Sequence, residues 1–173
     1  MVGVLGYVAM GLLWSAPAWY RWDGRVSLVF VGYVLAASIL PDVDLVLPGV
    51  PHHGVTHTIV FVLVVALVAG AVASVLAERA LTRLWIEDEG CLPARSTLYA
   101  FGTAGLLVGG VSHLVLDLLS TGVDGAPLTP LWPLLTEPMS IDLLSVLREP
   151  SWSASLLVLA LSLHVGLFVV DRR

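Results

Sequence analysis

The stretch HTIVFVLVVALVAGAVASVLA, residues 57–77, decides the fold class of this chain. No Asp, Glu, Lys or Arg interrupts it. A helix needs about 20 mostly apolar residues to cross a hydrocarbon core of about 30 Å. Residues 57–77 are therefore predicted to form a membrane-spanning helix.

Four further stretches have a similar character, namely residues 1–20, 26–47, 97–119 and 153–170. The second is apolar only as far as Leu40, because Pro41, Asp42 and Asp44 interrupt it. The chain is 58% hydrophobic and 12% charged, with a mean hydropathy of +0.95, well beyond an ordinary soluble domain. We therefore predict an all-α protein, a polytopic transmembrane helix bundle of about five spans. Residues 1–173 are expected to form a single integral membrane domain.

The first stretch also fits a second interpretation, a cleaved secretory signal. Ala16, Pro17 and Ala18 resemble a signal-peptide cleavage site, in which two small residues flank a third residue of any type. A signal peptide begins with basic residues, however, and here Arg21 and Arg25 follow the apolar stretch while none precedes it. A retained helix is the favoured interpretation.

The arginines are distributed unevenly between the predicted loops. Seven follow the first, third or fifth span: Arg21, Arg25, Arg79, Arg83, Arg95, Arg172 and Arg173. Only Arg148 lies on the other side. Because cytoplasmic loops carry the excess of basic residues, we place the N-terminus outside and the C-terminus in the cytoplasm. The loops at 41–56 and 120–152 then face outward.

Charge and cysteine content exclude two classes of partner or site. The formal net charge is -5 and the basic residues are scattered, whereas nucleic-acid binding needs a basic stripe. Cys91 is the one cysteine, so neither an intramolecular disulfide nor a metal site built from cysteines is expected.

Small residues mark one face of the fourth stretch. Gly105 and Gly109 lie four residues apart, and Gly102 and Gly110 add to the small surface. Such residues let helices approach closely in membranes. Packing within the bundle is the favoured role, and dimerisation is the alternative.

Three segments carry ionisable residues next to or inside the predicted spans: LPDVD (40–44), HHGVTH (52–57) and HLVLD (113–117). They end the second span, begin the third and end the fourth. A bundle of antiparallel neighbours brings all three to the same membrane face. Ionisable residues at such depth are costly and usually face a cavity, a partner charge or an ion.

The chemistry of these side chains indicates a divalent metal ion. His113 and Asp117 are four residues apart and share one face of a helix. Imidazole and carboxylate ligands together suit Zn or Mn. Asp42 and Asp44 complete this set or bridge a second ion, although a Pro-Asp turn at the end of a span is an equally ordinary reason for them.

The loop histidines need a turn to point the same way. His52 and His57 are five residues apart, Gly54 permits the turn, and Thr56 is predicted to cap the third helix. The N–H groups of that helix end would suit an anion, such as a phosphate-bearing substrate. His164, in the middle of the fifth span, is interpreted as a hydrogen-bonded packing residue outside the site.

At these residues the sequence resembles the YdjM family of LexA-regulated inner-membrane proteins, described as membrane-bound, metal-dependent hydrolases. The resemblance rests on LPDVD, HHGVTHT (52–58), HLVLDLLST (113–121) and PLWP (130–133), in the family's order. It implies a location in the inner (plasma) membrane. It also identifies His52 and His57 as the histidines of the loop motif, and matches its other polar positions to Asp42, Asp44, His113 and Asp117.

Two departures from the family pattern are visible. His53 stands where arginine is frequent, and no histidine precedes His52, whereas relatives commonly have one early in the first helix. The family is in turn distantly similar to zinc-dependent phospholipase C and P1 nuclease, which implies phosphoester hydrolysis.

The leading hypothesis is a hydrolase that acts on a phosphoester or lipid-linked substrate at the outer membrane face, using a metal-activated water. Its predicted metal ligands are Asp42, Asp44, His52, His57, His113 and Asp117. Whichever of Asp42 and Asp44 is not bound to metal would accept the proton. Membrane lipid is the expected partner. The alternatives are a metal-ion or proton transporter, which needs a polar path across the membrane, and a non-catalytic protein with a structural metal site.

Overall fold

The computed structural model describes residues 3–84, 92–120, 128–141 and 143–171. The α-helices in these ranges are α1 (Val4–Ser15), α2 (Gly24–Ser38), α3 (Ile59–Leu84), α4 (Arg95–Ser120) and α5 (Pro150–Asp171). Short 3₁₀ segments lie at Ala16–Tyr20, Pro41–Val46, Val55–His57 and Ser145–Arg148. The described residues contain no β-strand, which confirms the predicted all-α class.

Three of these helices, α3, α4 and α5, are long and apolar enough to cross a membrane. The others are shorter: α1 has 12 residues and α2 has 15, or about 18 and 22 Å at 1.5 Å per residue. Pro17 lies in the 3₁₀ segment that follows α1, where it has no N–H to donate to the carbonyl four residues earlier. Helix α2 ends at Ser38, ahead of Pro41. The transmembrane bundle is thus confirmed, whereas the count of five spans is supported for three helices only.

The central helix of the bundle is α4, which packs against α1, α2 and α3. Its glycines make this possible, as predicted for packing within the bundle. A Cβ added at Gly109 would lie 2.1 Å from the carbonyl oxygen of Val34 in α2. One added at Gly110 would lie 2.5 Å from a methyl group of Val62 in α3. The close contacts of α2 and α3 with α4 therefore require residues without a side chain at these two positions.

The two ends of the bundle differ in charge. At one end, Arg95 at the start of α4 lies 3.8 Å from Glu78 near the end of α3, and Gly24 at the start of α2 contacts Asp171 at the end of α5. Arg21 and Arg25 lie at this end too, and we call it the arginine end; Arg172 and Arg173 are outside the described residues. The three polar segments lie at the other end, where α2 and α4 finish and α3 begins.

His164 joins α5 to the first helix. Nε1 of Trp19 donates a 2.8 Å hydrogen bond to Nδ1 of His164, and Nε2 of His164 lies 2.8 Å from the carbonyl oxygen of Leu12. Because an indole N–H only donates, the imidazole proton is on Nε2 and is donated to Leu12. His164 is therefore a hydrogen-bonded packing residue, as predicted.

Candidate metal centre

The polar segments form one buried cluster at the end of the bundle opposite the arginines. His57 and His113 are fully buried and Asp117 is 2% exposed. The Pro41–Val46 segment follows α2 and brings Asp42 against these three, with 11% of its side chain exposed. The cluster thus opens to its surroundings on the Asp42 side.

Four side-chain atoms of this cluster face one another: Oδ1 of Asp42, Nε2 of His57, Nε2 of His113 and Oδ2 of Asp117. The histidine nitrogens are 3.4 Å apart. From Oδ2 of Asp117, Nε2 of His113 is 3.1 Å away and Nε2 of His57 is 3.4 Å away. From Oδ1 of Asp42, the corresponding distances are 3.6 Å to His113 and 3.4 Å to His57.

These spacings are those of ligands around a small divalent ion. Zn–N and Zn–O bonds of about 2.0 Å place neighbouring tetrahedral ligands about 3.3 Å apart. Oδ1 of Asp42 is buried and has no hydrogen-bond partner among the described residues, an arrangement that is costly unless something else satisfies the oxygen. Asp42, His57 and His113 form one of the groups with the spacing needed to hold an ion. The residues present therefore fit a divalent metal.

Partners outside this group orient three of its members. Nδ1 of His113 is 2.7 Å from the carbonyl oxygen of Ser38, so in the neutral ring Nδ1 carries the proton and Nε2 has its lone pair free. Nδ1 of His57 is 3.1 Å from Oδ2 of Asp44. Carboxylate and carbonyl partners of this kind fix the ring orientation of metal-binding histidines.

The third orienting partner is Tyr7 of α1. Its hydroxyl donates a 2.5 Å hydrogen bond to Oδ1 of Asp117, leaving Oδ2 directed at the histidines. Its ring stacks on His113, with centroids 3.9 Å apart and planes inclined by 10°. Tyr7 is fully buried, so α1 closes one side of the cluster.

Asp44 is engaged on both carboxylate oxygens. Oδ2 accepts a 2.8 Å hydrogen bond from Thr56, and Oδ1 is 3.2 Å from Nδ1 of His52. Burial alone would raise the pKa of Asp44, but the hydrogen bonds from His52 and Thr56, together with nearby His57, outweigh it and hold that pKa below its usual value. Asp44 is therefore held as a carboxylate that supports the histidines.

The loop histidines lie at the outer edge of the cluster. The side chain of His52 is 27% exposed, and its ring lies 4.1 Å from that of His53, centroid to centroid. His53 adopts a left-handed backbone conformation, with φ of 62°. His52, His53 and His57 form a second group with metal-ligand spacing, and Asp42, Asp44 and His52 form a third.

The six residues predicted as ligands thus come together, but in two layers. Asp42, His57, His113 and Asp117 converge on one point, whereas Asp44 and His52 lie behind His57. Sequence reasoning missed Tyr7, which carries no ligand signature and whose partner is 110 positions away.

The predicted cap of the third helix was wrong. Val55–His57 forms a 3₁₀ turn, so α3 starts two residues later than expected and Oγ1 of Thr58 accepts from the N–H of Phe61. Thr56 donates to Asp44 instead. The N–H of Ile59 also has an acceptor, the carbonyl of Pro130 in the PLWP motif, at 2.8 Å. Two N–H groups expected to be open to an anion are therefore occupied.

Comparison with known proteins gives one family. The family model of the YdjM inner membrane protein matches residues 1–172. Comparisons with curated proteins and with solved structures gave no match.

Proposed function

The chain belongs to the YdjM inner membrane protein family, and we propose that it is a metal-dependent hydrolase of phosphoester or lipid-linked substrates. The observation that carries this proposal is the set of five distances, from 3.1 to 3.6 Å, that joins Asp42, His57, His113 and Asp117. When bound, Zn or Mn would supply a Lewis acid and activate water.

Three of the four residues are suited to hold the ion permanently. His57, His113 and Asp117 are buried and each is oriented by an outer partner: Asp44, the Ser38 carbonyl and Tyr7 respectively. Two histidines and one carboxylate, with a fourth position for water or substrate, are typical of catalytic zinc sites.

Asp42 is the residue we assign to proton transfer. It is the most exposed of the four, and its Oδ1 lies 3.6 Å from Nε2 of His113, the longest of the five distances. Between the two carboxylates predicted for this role, Asp44 has both oxygens engaged. Asp42 is therefore the better proton acceptor, and Asp44 is a positioning residue for His57.

The surface around the cluster favours a lipid-linked substrate. Val46 is 77% exposed and follows Asp44 by two residues, and Leu134 next to the PLWP motif is 78% exposed. Apolar side chains near the exposed edge of the cluster at Asp42 suit a substrate whose tail stays in the bilayer while its phosphoester reaches the ion. The excess of arginines at the opposite end supports an orientation in which this face lies outside the cytoplasm.

A structural metal site is the second candidate, because one observation favours it. If Asp42 stays bound, the four residues close the coordination shell, as structural zinc sites do. The ion would then clamp the ends of α2, α3 and α4 together without chemistry.

Both candidate functions require a bound metal ion, and the metal content of the purified protein tests this requirement. Wild-type protein and the His164→Ala variant, whose change lies outside the cluster, are expected to retain one equivalent of metal, whereas His57→Ala loses it. A folded wild type that takes up no Zn, Mn or Mg on reconstitution would overturn both candidates. Hydrolysis of a panel of phosphoesters by the metal-loaded protein then separates the hydrolase from the structural site.

A further inference from the structure

An apolar cavity lies at the arginine end of the bundle, far from the candidate metal centre. The described residues of α2, α3 and α4, together with Trp22 and Pro93, line a partly open space of about 630 Å³ there, within the range of about 300–1,000 Å³ that is typical of small-molecule sites. Its walls are almost wholly apolar and include Trp22, Tyr33, Ala77, Leu98 and Phe101. A polar or fully charged ligand would lose its hydration on these walls without compensation.

Three aromatic rings that line this cavity pack against one another. The ring of Phe101 lies 5.1 Å from that of Trp22 and 6.1 Å from that of Tyr33, centroid to centroid. Tyr33 follows Arg25 by eight residues in α2, a rise of about 12 Å along the helix. The cavity therefore runs from the helix end toward the hydrocarbon region, parallel to the bundle.

Arg25 gives the cavity a cationic edge. It lines the cavity at the first turn of α2 and is exposed. The neighbouring acids have other partners: Oδ1 of Asp23 accepts the backbone N–H groups of Arg25 and Val26, and Glu78 pairs with Arg95. No carboxylate of the described residues lies within ion-pair distance of the Arg25 guanidinium.

We propose that this cavity holds one acyl chain of an anionic phospholipid, with the lipid phosphate bound by Arg25. An apolar slot that opens beside one exposed guanidinium is complementary to a hydrocarbon chain beside one phosphate. The arginine excess assigns this end to the cytoplasmic leaflet, where anionic lipids attract basic residues. The proposal uses none of the residues of the metal cluster, so it stands or falls independently of the hydrolase.

Native mass spectrometry of the full chain tests it, using equimolar phosphatidylglycerol and phosphatidylcholine with identical acyl chains. One phosphatidylglycerol per chain is expected to survive detergent removal, preferred about fivefold over phosphatidylcholine, as one arginine contact provides. Arg25→Gln should abolish the preference, whereas the matched change Arg21→Gln should keep it.

A second pair of variants tests the cavity itself. Ala77→Phe fills the space and should reduce lipid retention to background, whereas Ala71→Phe, exposed on the same helix, should not. Thermal unfolding and metal content at wild-type values show that both variants are folded. Equal retention of the two lipids by the wild type, or unchanged retention by folded Ala77→Phe, overturns the proposal. Dimers that Ala77→Phe dissociates would overturn it as well, because a second copy would then occupy the cavity.

Discussion

Tyr7 and Asp117, 110 positions apart, are joined by a 2.5 Å hydrogen bond that fixes one carboxylate oxygen and leaves the other facing His57 and His113. This contact connects the first helix to the candidate metal centre. It makes Tyr7 a positioning residue, one that shapes the site through Asp117.

Tyr7→Phe tests that role, because it removes the hydroxyl and keeps the ring that stacks on His113. Loss of such an outer partner typically costs about 10- to 100-fold in metal affinity. Competition with a chelator measures it. Tyr20→Phe is the control, since Tyr20 is 83% exposed. Equal affinities for wild type and Tyr7→Phe would show that Tyr7 only packs.

Asp42→Asn separates the two candidate functions. If Asp42 accepts the proton from water, the variant should retain metal and lose at least about 100-fold in turnover, the usual contribution of a general base. If Asp42 closes a structural shell, the variant should lose metal and stability together. Asp171→Asn, at the arginine end, is the control that should change neither.

The placement of the site could be predicted from the sequence, but its layers could not. Alternating helix directions suffice to bring LPDVD, HHGVTH and HLVLD to one end. Separating Asp42 from Asp44 required the 3₁₀ geometry of Pro41–Val46, in which Asp42 lies beside Nε2 of His57 and Asp44 lies beside Nδ1 of the same ring. Tyr7 resembled any interfacial aromatic in an apolar helix, because only the tertiary fold supplies its partner.

The lengths of the first two helices could not be predicted from the hydropathy of the sequence either. Hydropathy extends through residues 1–20 without a break, yet the α-helix becomes a 3₁₀ segment at Ala16. Apolar composition indicates the environment of a segment. The change of helix type coincides with Pro17, which has no N–H to donate to the carbonyl four residues earlier.

Gly109→Ala is expected to destabilise the bundle by about 1–3 kcal/mol, the usual cost of overpacking. The added methyl group would meet the carbonyl oxygen of Val34, which belongs to helix backbone and cannot move aside. Gly32→Ala is the matched control, because no atom lies within 4 Å of its Cβ position. Unfolding in a detergent titration measures both, and equal stabilities would contradict the close approach.

Trp19→Phe should destabilise the protein while leaving its metal content intact. It removes the N–H donor to Nδ1 of buried His164, and a buried acceptor left without a partner costs about 1–3 kcal/mol. Thermal unfolding reports the loss. Metal leaving this variant while it is still folded would connect His164 to the cluster and contradict its role as a packing residue.

The orientation of the site is tested by cysteine labelling in a Cys91→Ser background. Glu137→Cys, exposed at the end that carries the metal cluster, should react with an impermeant maleimide on intact cells. Ser96→Cys, exposed at the arginine end, should react only after the membrane is permeabilised. The reverse pattern would place the candidate metal centre in the cytoplasmic leaflet, and with it any phosphoester that the protein hydrolyses. It would also move the apolar cavity to the outer leaflet, where the positive-inside rule gives Arg25 no reason to lie.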